Sequence, residues 1–338
     1  GLERACRVAE RLVERLVEPF VIEGMRLEIG VSIGVAIYPD HGRDVDALLQ
    51  QADTAMYKAK RERLGFVVFD TETSGPDRLR TTLHRDLRAA IDNGQLAVRY
   101  QLKVGSGARE PVGAEALVRW HHPQLGLLEP KDFLPVAEQT GLVDPLTVWV
   151  LNACLRDQQR WRRAGVLLPV SVNLPGRWLQ DAKYPAILGM IIAHWGARPA
   201  ELGLEIAESA VMADVQGTLP GLEALARLGC GLSLDDFGSG YSSLVHLQRL
   251  PVRELKIHRQ FVTAMTEDKA AAVVVRSIVR LAHGLGLKAV ATGVETDATA
   301  HWLTTLKCDE LQGFAFGRPM DAEQLLGRLA RPSSEVPA

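Results

Sequence analysis

Between residue 96 and about residue 330 the chain alternates short apolar runs of strand type with amphipathic stretches of helical type, and this alternation restricts the fold most. The strand candidates are 96–104, 112–120, 168–174, 202–208, 231–236, 254–258, 288–294 and 311–316. Stretches such as 144–164, 216–229 and 267–286 are long enough for crossover helices. Eight strands in roughly 240 residues fit an α/β (β/α)8 TIM-like barrel, whose usual length is about 250 residues. An open doubly wound sheet is the competing architecture, but no glycine-rich phosphate loop follows any strand. A hydrophobic fraction of 47% over 338 residues supports a sizeable core.

The first 70 residues read differently. Val8, Leu12, Val13, Leu16 and Val17 recur at helical spacing. Strand-like runs follow at 25–29 and 31–38, the second closed by the turn Pro39-Asp40-His41-Gly42. A helix is expected over 46–61 and a last short strand over 66–69. This helix–hairpin–helix–strand piece has few strands to share its apolar faces, so it reads as part of an α+β domain. The polar stretch around Gly75-Pro76 serves as a linker, followed by a helix over 79–93. The expected organisation is a partial domain at 1–70, a linker at 71–80 and a barrel at 81–330.

A net charge of −2 leaves no electrostatic footprint for duplex nucleic acid. No apolar run approaches the roughly 18 residues that span a bilayer, and no signal peptide is visible. Cys6, Cys154, Cys230 and Cys308 are widely spaced, which points to buried, reduced thiols and a cytoplasmic setting rather than zinc. Because the first residue is Gly1 rather than Met, the sequence reads as a piece of a longer chain.

In a barrel of this kind the reactive groups gather at the carboxyl ends of the strands. Taken in order, those ends offer Glu115, Asn173, Glu205, Asp235 with Asp236, Lys256, Glu295 and Gln312. Adjacent acids such as Asp235 and Asp236 repel one another and are costly to bury, so they commonly share a cation. Hard oxygen ligands suit Mg²⁺ or Mn²⁺. A solvated turn with Asp236 capping a helix is the plainer reading of that pair alone. His84-Arg85-Asp86 and Asp236-Phe237-Gly238 mimic protein-kinase motifs, but position 91 is Ile and no glycine-rich loop precedes them, so a kinase is rejected.

The motifs Glu115-Ala116-Leu117, Val172-Asn173-Leu174, Glu205-Ile206-Ala207-Glu208, Asp235-Asp236-Phe237-Gly238, Leu255-Lys256-Ile257, Gly293-Val294-Glu295-Thr296 and Gln312-Gly313-Phe314 resemble the EAL domain, in order and over about 81–329. Residues 1–70 resemble the carboxyl-terminal half of a GGDEF domain, through Ser32-Ile33-Gly34-Val35-Ala36 and Ala52-Asp53-Thr54-Ala55-Met56-Tyr57. The GGDEF signature itself is absent, so no diguanylate cyclase activity is assigned. The resemblance implies metal-dependent hydrolysis of cyclic di-GMP to linear pGpG. It implies a first metal on Glu115, Asn173, Glu205 and Asp235, with Asp235 bridging to a second carried by Asp236 and a further Glu. Lys256 and Glu295 match catalytic positions, and Gln101, Leu117, Arg119 and Gln312 match ligand contacts. Glu208 matches the anchor of loop 237–243, which couples the site to a partner in a homodimer.

The chain departs from that pattern where the family has a second-metal Glu, which is Thr292 here, and where Lys-Ile-Asp becomes Lys256-Ile257-His258. Leu102 replaces Pro, and Ala207 replaces Thr. On a strand period of two, His258 shares a face with Lys256 and enters the same mouth. The first-metal shell is complete and the second has lost charge. The expected function is cyclic di-GMP binding with hydrolysis impaired or lost, and a working phosphodiesterase is the alternative. A scaffold that binds neither metal nor nucleotide is a third reading, disfavoured by the intact first shell.

Overall fold

The computed structural model describes residues 2–17, 20–22, 25–27, 30–62, 64–70, 75–240 and 244–330. The chain divides into two compact units, Gly1–Asn93 with Phe133–Leu142, and Gly94–Asp132 with Val143–Ala338.

In the first unit, the helix Leu2–Val17 precedes an antiparallel pair, Phe20–Ile22 with Met25–Leu27. Ile33–Val35 pairs in parallel with Phe66–Val68 instead of forming the expected hairpin with the 25–29 run. The helix Val45–Glu62 lies between those two strands in sequence and supplies the crossover that a parallel pair requires. Gly34 permits the strand to press against this helix, since a Cβ there would stand 1.8 Å from the Ala52 carbonyl oxygen. The helix expected over 79–93 runs Gly75–Asp92, so residues 75–80 of the expected linker are helical. Pro76 suits that early position, because its missing N–H has no partner in a first turn. Residues 71–74 lie outside the described residues.

The second unit is a closed eight-stranded barrel. Its strands are β1 (Leu96–Gly105), β2 (Pro111–His122), β3 (Val170–Asn173), β4 (Leu202–Ala207), β5 (Gly231–Phe237), β6 (Glu254–Ile257), β7 (Lys288–Thr292) and β8 (Glu310–Gln312). Neighbours in sequence are neighbours in the ring, and β1 closes it by pairing with both β2 and β8. β2 through β8 run parallel, while β1 is antiparallel to both its neighbours. The connection 106–110 is too short for a parallel crossover, so β1 and β2 can only form a hairpin.

Alternation sorts the strands into two faces. Leu204, Ile206, Leu232, Leu234, Leu255 and Ile257 are fully buried and form the apolar face of the sheet. The intervening positions are polar and also buried, including Glu115, Ser171, Glu205, Ser233, Lys256 and Gln312. A barrel interior is usually filled by branched aliphatic side chains. Around it pack helices such as Val143–Arg163, Val215–Arg227 and Lys269–Gly284. Tyr100 donates its hydroxyl to Asp157 Oδ2 at 2.8 Å and meets Trp161 edge-on, tying β1 to the first of these helices. All the cysteines are free, and Cys154, Cys230 and Cys308 are buried. Among the described residues no helix is long and apolar enough to cross a membrane.

Close packing against the barrel can be tested at Gly221, on the helix Val215–Arg227. A Cβ there would stand 2.1 Å from the Leu179 carbonyl oxygen, whereas one at Gly284 would meet nothing within 4 Å. Gly221→Ala is expected to lower stability in urea unfolding by roughly 1–3 kcal/mol. Gly284→Ala should be neutral or raise it by up to about 1 kcal/mol. Equal effects would contradict the packing described.

Candidate active site

A cavity of about 320 Å³ is lined by Gln101, Glu115, Leu117, Asp235, Asp236, Lys256, Glu295 and Gln312, all expected from the sequence. Arg259, Thr292 and Phe314 line it too. Strand alternation explains most of this gathering: Glu115, Leu117 and Arg119 share one face of β2, and Gln101 and Lys103 share one face of β1. Asp235 and Asp236 need a different explanation, because neighbours on a regular strand point to opposite faces. β5 loses register with β6 between Leu234 and Phe237, and Asp236 takes φ 54°, in the left-handed region. This irregularity swings Asp236 round, so both carboxylates reach one cavity.

Lys256 stands at the centre. Its Nζ lies 3.1 Å from Glu115 Oε2 and 3.2 Å from Asp235 Oδ1, and it donates a short hydrogen bond to Glu205 Oε2. Glu115 also accepts from Asn173 Nδ2 and Gln312 Nε2, each at 2.8 Å. Gln312 Nε2 lies 3.2 Å from Gln101 Oε1, while its own Oε1 is buried without a hydrogen-bond partner among the described residues. Glu205 is fully buried, and its Oε1 accepts from Ser171 Oγ at 2.5 Å and from Lys103 Nζ at 3.4 Å.

The same burial has opposite outcomes on the two acids. At Glu205 it would raise the carboxyl pKa, but Lys256 and Lys103 outweigh it and bring the group down to about 2. At Asp235 burial prevails, reinforced by Glu205, Glu115 and Asp236 against Lys256, and the carboxyl is pushed up to about 6. Burial disfavours the Lys256 ammonium, yet Asp235, Glu115 and Glu205 hold its pKa well above the usual value.

Arg119 is half-buried, is not among the cavity-lining residues, and donates to the Val118 carbonyl at 2.9 Å. Glu208 is buried and accepts the Gly238 backbone N–H at 2.8 Å, tying it to the loop after β5. Residues 241–243 of that loop lie outside the described residues. His258 corrects an expectation. β6 ends at Ile257, so the period of two stops there, and His258 instead caps the helix Arg259–Ala264 through Gln260 N at 3.3 Å. It is absent from the cavity lining, although its Nε2 stands 3.7 Å from Asp236 Oδ1. Thr292 donates its hydroxyl to the Ile257 carbonyl at 2.8 Å.

The donors are carboxylate and amide oxygens, the kind that Mg²⁺ and Mn²⁺ prefer, and they converge on one region. Among the described residues, no group of three or more His, Cys, Asp or Glu is set as a metal cage as it stands. The ammonium of Lys256 supplies the positive charge there. The oxygen donors therefore fit a hard divalent cation in kind, given movement of Lys256. Sequence reasoning missed Lys103, Ser171 and Arg259, and named Phe314 only as part of a motif. The first two lie two residues from Gln101 and Asn173, so the strand period carried a signal for them.

The family profile described as EAL domain matches residues 84–319, and that described as diguanylate cyclase, GGDEF domain, matches residues 1–64. The bifunctional diguanylate cyclase/cyclic di-GMP phosphodiesterase MucR of Pseudomonas aeruginosa is 42% identical over 96% of this chain and 48% of its own length. The cyclic di-GMP phosphodiesterase PdeR of Escherichia coli is 36% identical over 93% of this chain and 48% of its own. The chain thus spans about half the length of these curated relatives. A solved structure of the PaMucR phosphodiesterase in a c-di-GMP complex superposes with a TM-score of 0.70 at 44% identity, covering 72% of this chain and 99% of that one. The EAL enzyme Bd1971, in its cAMP and cyclic-di-GMP bound form, gives 0.71 at 28% identity over 86% of this chain and 77% of its own. With its barrel, its acids gathered around Lys256 and a matched profile spanning most of its length, the chain belongs to the EAL-domain family, with a short GGDEF segment at the N-terminus.

Proposed function

We propose that this domain binds cyclic di-GMP in the cavity and opens it to linear pGpG slowly or not at all. Glu115, Asn173, Glu205 and Asp235 would hold one Mg²⁺ or Mn²⁺, and Asp236 would contribute to a second. Divalent cations supply charge to phosphodiester oxygens and acidity to an attacking water. In the reaction the water oxygen bonds to phosphorus as the bond to a ribose oxygen breaks, and one proton moves from the water to the leaving oxygen. Lys256 is placed to orient the water through its ammonium, and Glu295 stands at the rim as a proton acceptor. Gln101, Leu117 and Gln312 would bracket the ligand. Arg119 would meet a phosphate after leaving the Val118 carbonyl. Glu208 would carry the state of the site to the following loop, and through it to a second copy.

The observation behind the impairment is Thr292. Its hydroxyl is neutral and already engaged by the Ile257 carbonyl, so β7 brings no negative charge to the cavity at that position. A neutral group there leaves a second cation poorly held, and the loss of one strong catalytic group slows a reaction by about 10²–10⁴.

Calorimetry with cyclic di-GMP should show binding, while product analysis in Mn²⁺ should show turnover far below the order of 1 per second. Turnover at that scale would establish the working phosphodiesterase instead, and no binding would remove the ligand reading. Thr292→Glu combined with His258→Asp should raise hydrolysis by about tenfold or more. Aspartate keeps the helix cap that His258 now makes, so an unchanged rate would place the defect elsewhere.

Asp235 generates a stability test. Its folded-state pKa is raised, so its protonated form favours folding; that contribution is full below about pH 4 and is lost as the pH rises through 6. Asparagine carries no such penalty. Metal-free Asp235→Asn should therefore exceed the wild type at pH 7.5 by on the order of 2–3 kcal/mol, with the gap closing towards pH 4. A pH-independent gap in chemical denaturation would contradict the electrostatic account.

A further inference from the structure

We infer that Lys103 is a positioning residue for the cation site, holding one oxygen of Glu205 from the far end of the barrel so that the other stays aimed at the cavity when Lys256 withdraws. The inference rests on the proposed role of Glu205 as a cation ligand.

The two oxygens of Glu205 are held from opposite sides. Oε2 faces Lys256, while Oε1 takes Lys103 Nζ at 3.4 Å and Ser171 Oγ at 2.5 Å. The Lys103 side chain is only 8% exposed, and a lysine is rarely buried this far without a specific partner. It reaches Glu205 from a second cavity, of about 460 Å³, which Lys103 lines together with Gly113, Ser171 and Gly203. Gly113 borders the Lys103 stem, where a Cβ would stand 3.4 Å from Lys103 Cε, and Gly203 packs against Ser171, where a Cβ would stand 3.0 Å from the Ser171 Cβ.

Lys256 cannot serve as this support. It occupies the region on which Glu115, Glu205 and Asp235 converge, so an entering divalent cation must displace it. Lys103 lies outside that region and can stay, with Ser171, on the distal oxygen. Charge alone argues the reverse consequence: deleting a buried cation beside an acidic site should strengthen divalent binding by Coulomb attraction. A positioning role requires deletion to weaken it. The sign separates the two.

The experiment is calorimetric titration of MnCl₂ alone into the metal-free 338-residue chain, with circular dichroism to verify folding. Lys103→Met is expected to weaken Mn²⁺ binding by about tenfold or more, the usual scale for losing a partner of a metal ligand. Lys103→Arg should remain close to wild type, because the second cavity gives the longer side chain room. Tighter or unchanged binding in Lys103→Met would overturn the inference. If that variant does not fold, Ser171→Ala decides: weaker binding supports a held Oε1, and wild-type binding refutes it. Glu205→Gln keeps the two readings apart. Wild-type Mn²⁺ binding in that variant means the cation site itself is misassigned. Loss there with no loss in Lys103→Met rejects the role of Lys103 alone.

Discussion

The contact of Lys256 with three carboxylates is the interaction on which the arrangement of the site depends. Burying an ion incurs a desolvation penalty of several kcal/mol, and mutual attraction compensates only when geometry and hydrogen bonding are nearly complete. Asn173 and Gln312 hold Glu115, while Ser171 and Lys103 hold Glu205, so these two acids have partners on more than one side. Asp235 has no such side-chain support, and beside Lys256 its Oδ1 accepts only the Asp236 backbone N–H, at 2.9 Å, among the described residues. It carries the raised pKa of an acid that burial and like charges press towards neutrality. The interior contributes less to stability than aliphatic packing would. The fold is carried instead by the apolar face of the sheet, where residues such as Leu204, Ile206, Leu232 and Leu255 are completely buried.

The site is asymmetric around the ring. From β2 to β5 the strands present Glu115, Asn173, Glu205, Asp235 and Asp236. On the far side, β7 ends at Thr292, whose hydroxyl turns away to a backbone carbonyl. After β6, His258 caps a helix near Asp236 instead of adding an oxygen ligand. The proposed impairment rests on this asymmetry: recognition of a phosphodiester would use the groups that remain, whereas hydrolysis would need a negative charge that Thr292 does not supply. Glu208 accepts the Gly238 N–H and so joins the segment after β4 to the loop after β5.

Much of this was legible in the sequence. All eight barrel strands overlap the runs marked by apolar patterning, and the strand-end reading named Glu115, Asp235, Asp236, Lys256, Glu295 and Gln312 of the cavity lining, while Gln101 and Leu117 came from the family resemblance. The direction of β1 was not legible from its composition, because it follows from the brevity of 106–110. The pairing of Ile33–Val35 with Phe66–Val68 was hidden because adjacency in sequence suggested a hairpin, while the intervening helix allowed the parallel alternative. The turn of Asp236 depends on a register shift that no residue type announces. Lys103 and Ser171 were less legible because the barrel rule marks the carboxyl ends of strands, although the period of two points the strand interiors into the same barrel.

The most direct test of the central claim is anomalous diffraction from crystals of this chain grown with Mn²⁺ and cyclic di-GMP. The expected result is one strong manganese peak within bonding distance of Glu115, Glu205 and Asp235, with Lys256 displaced from between them. Two fully occupied manganese peaks, or none beside those carboxylates, would contradict it.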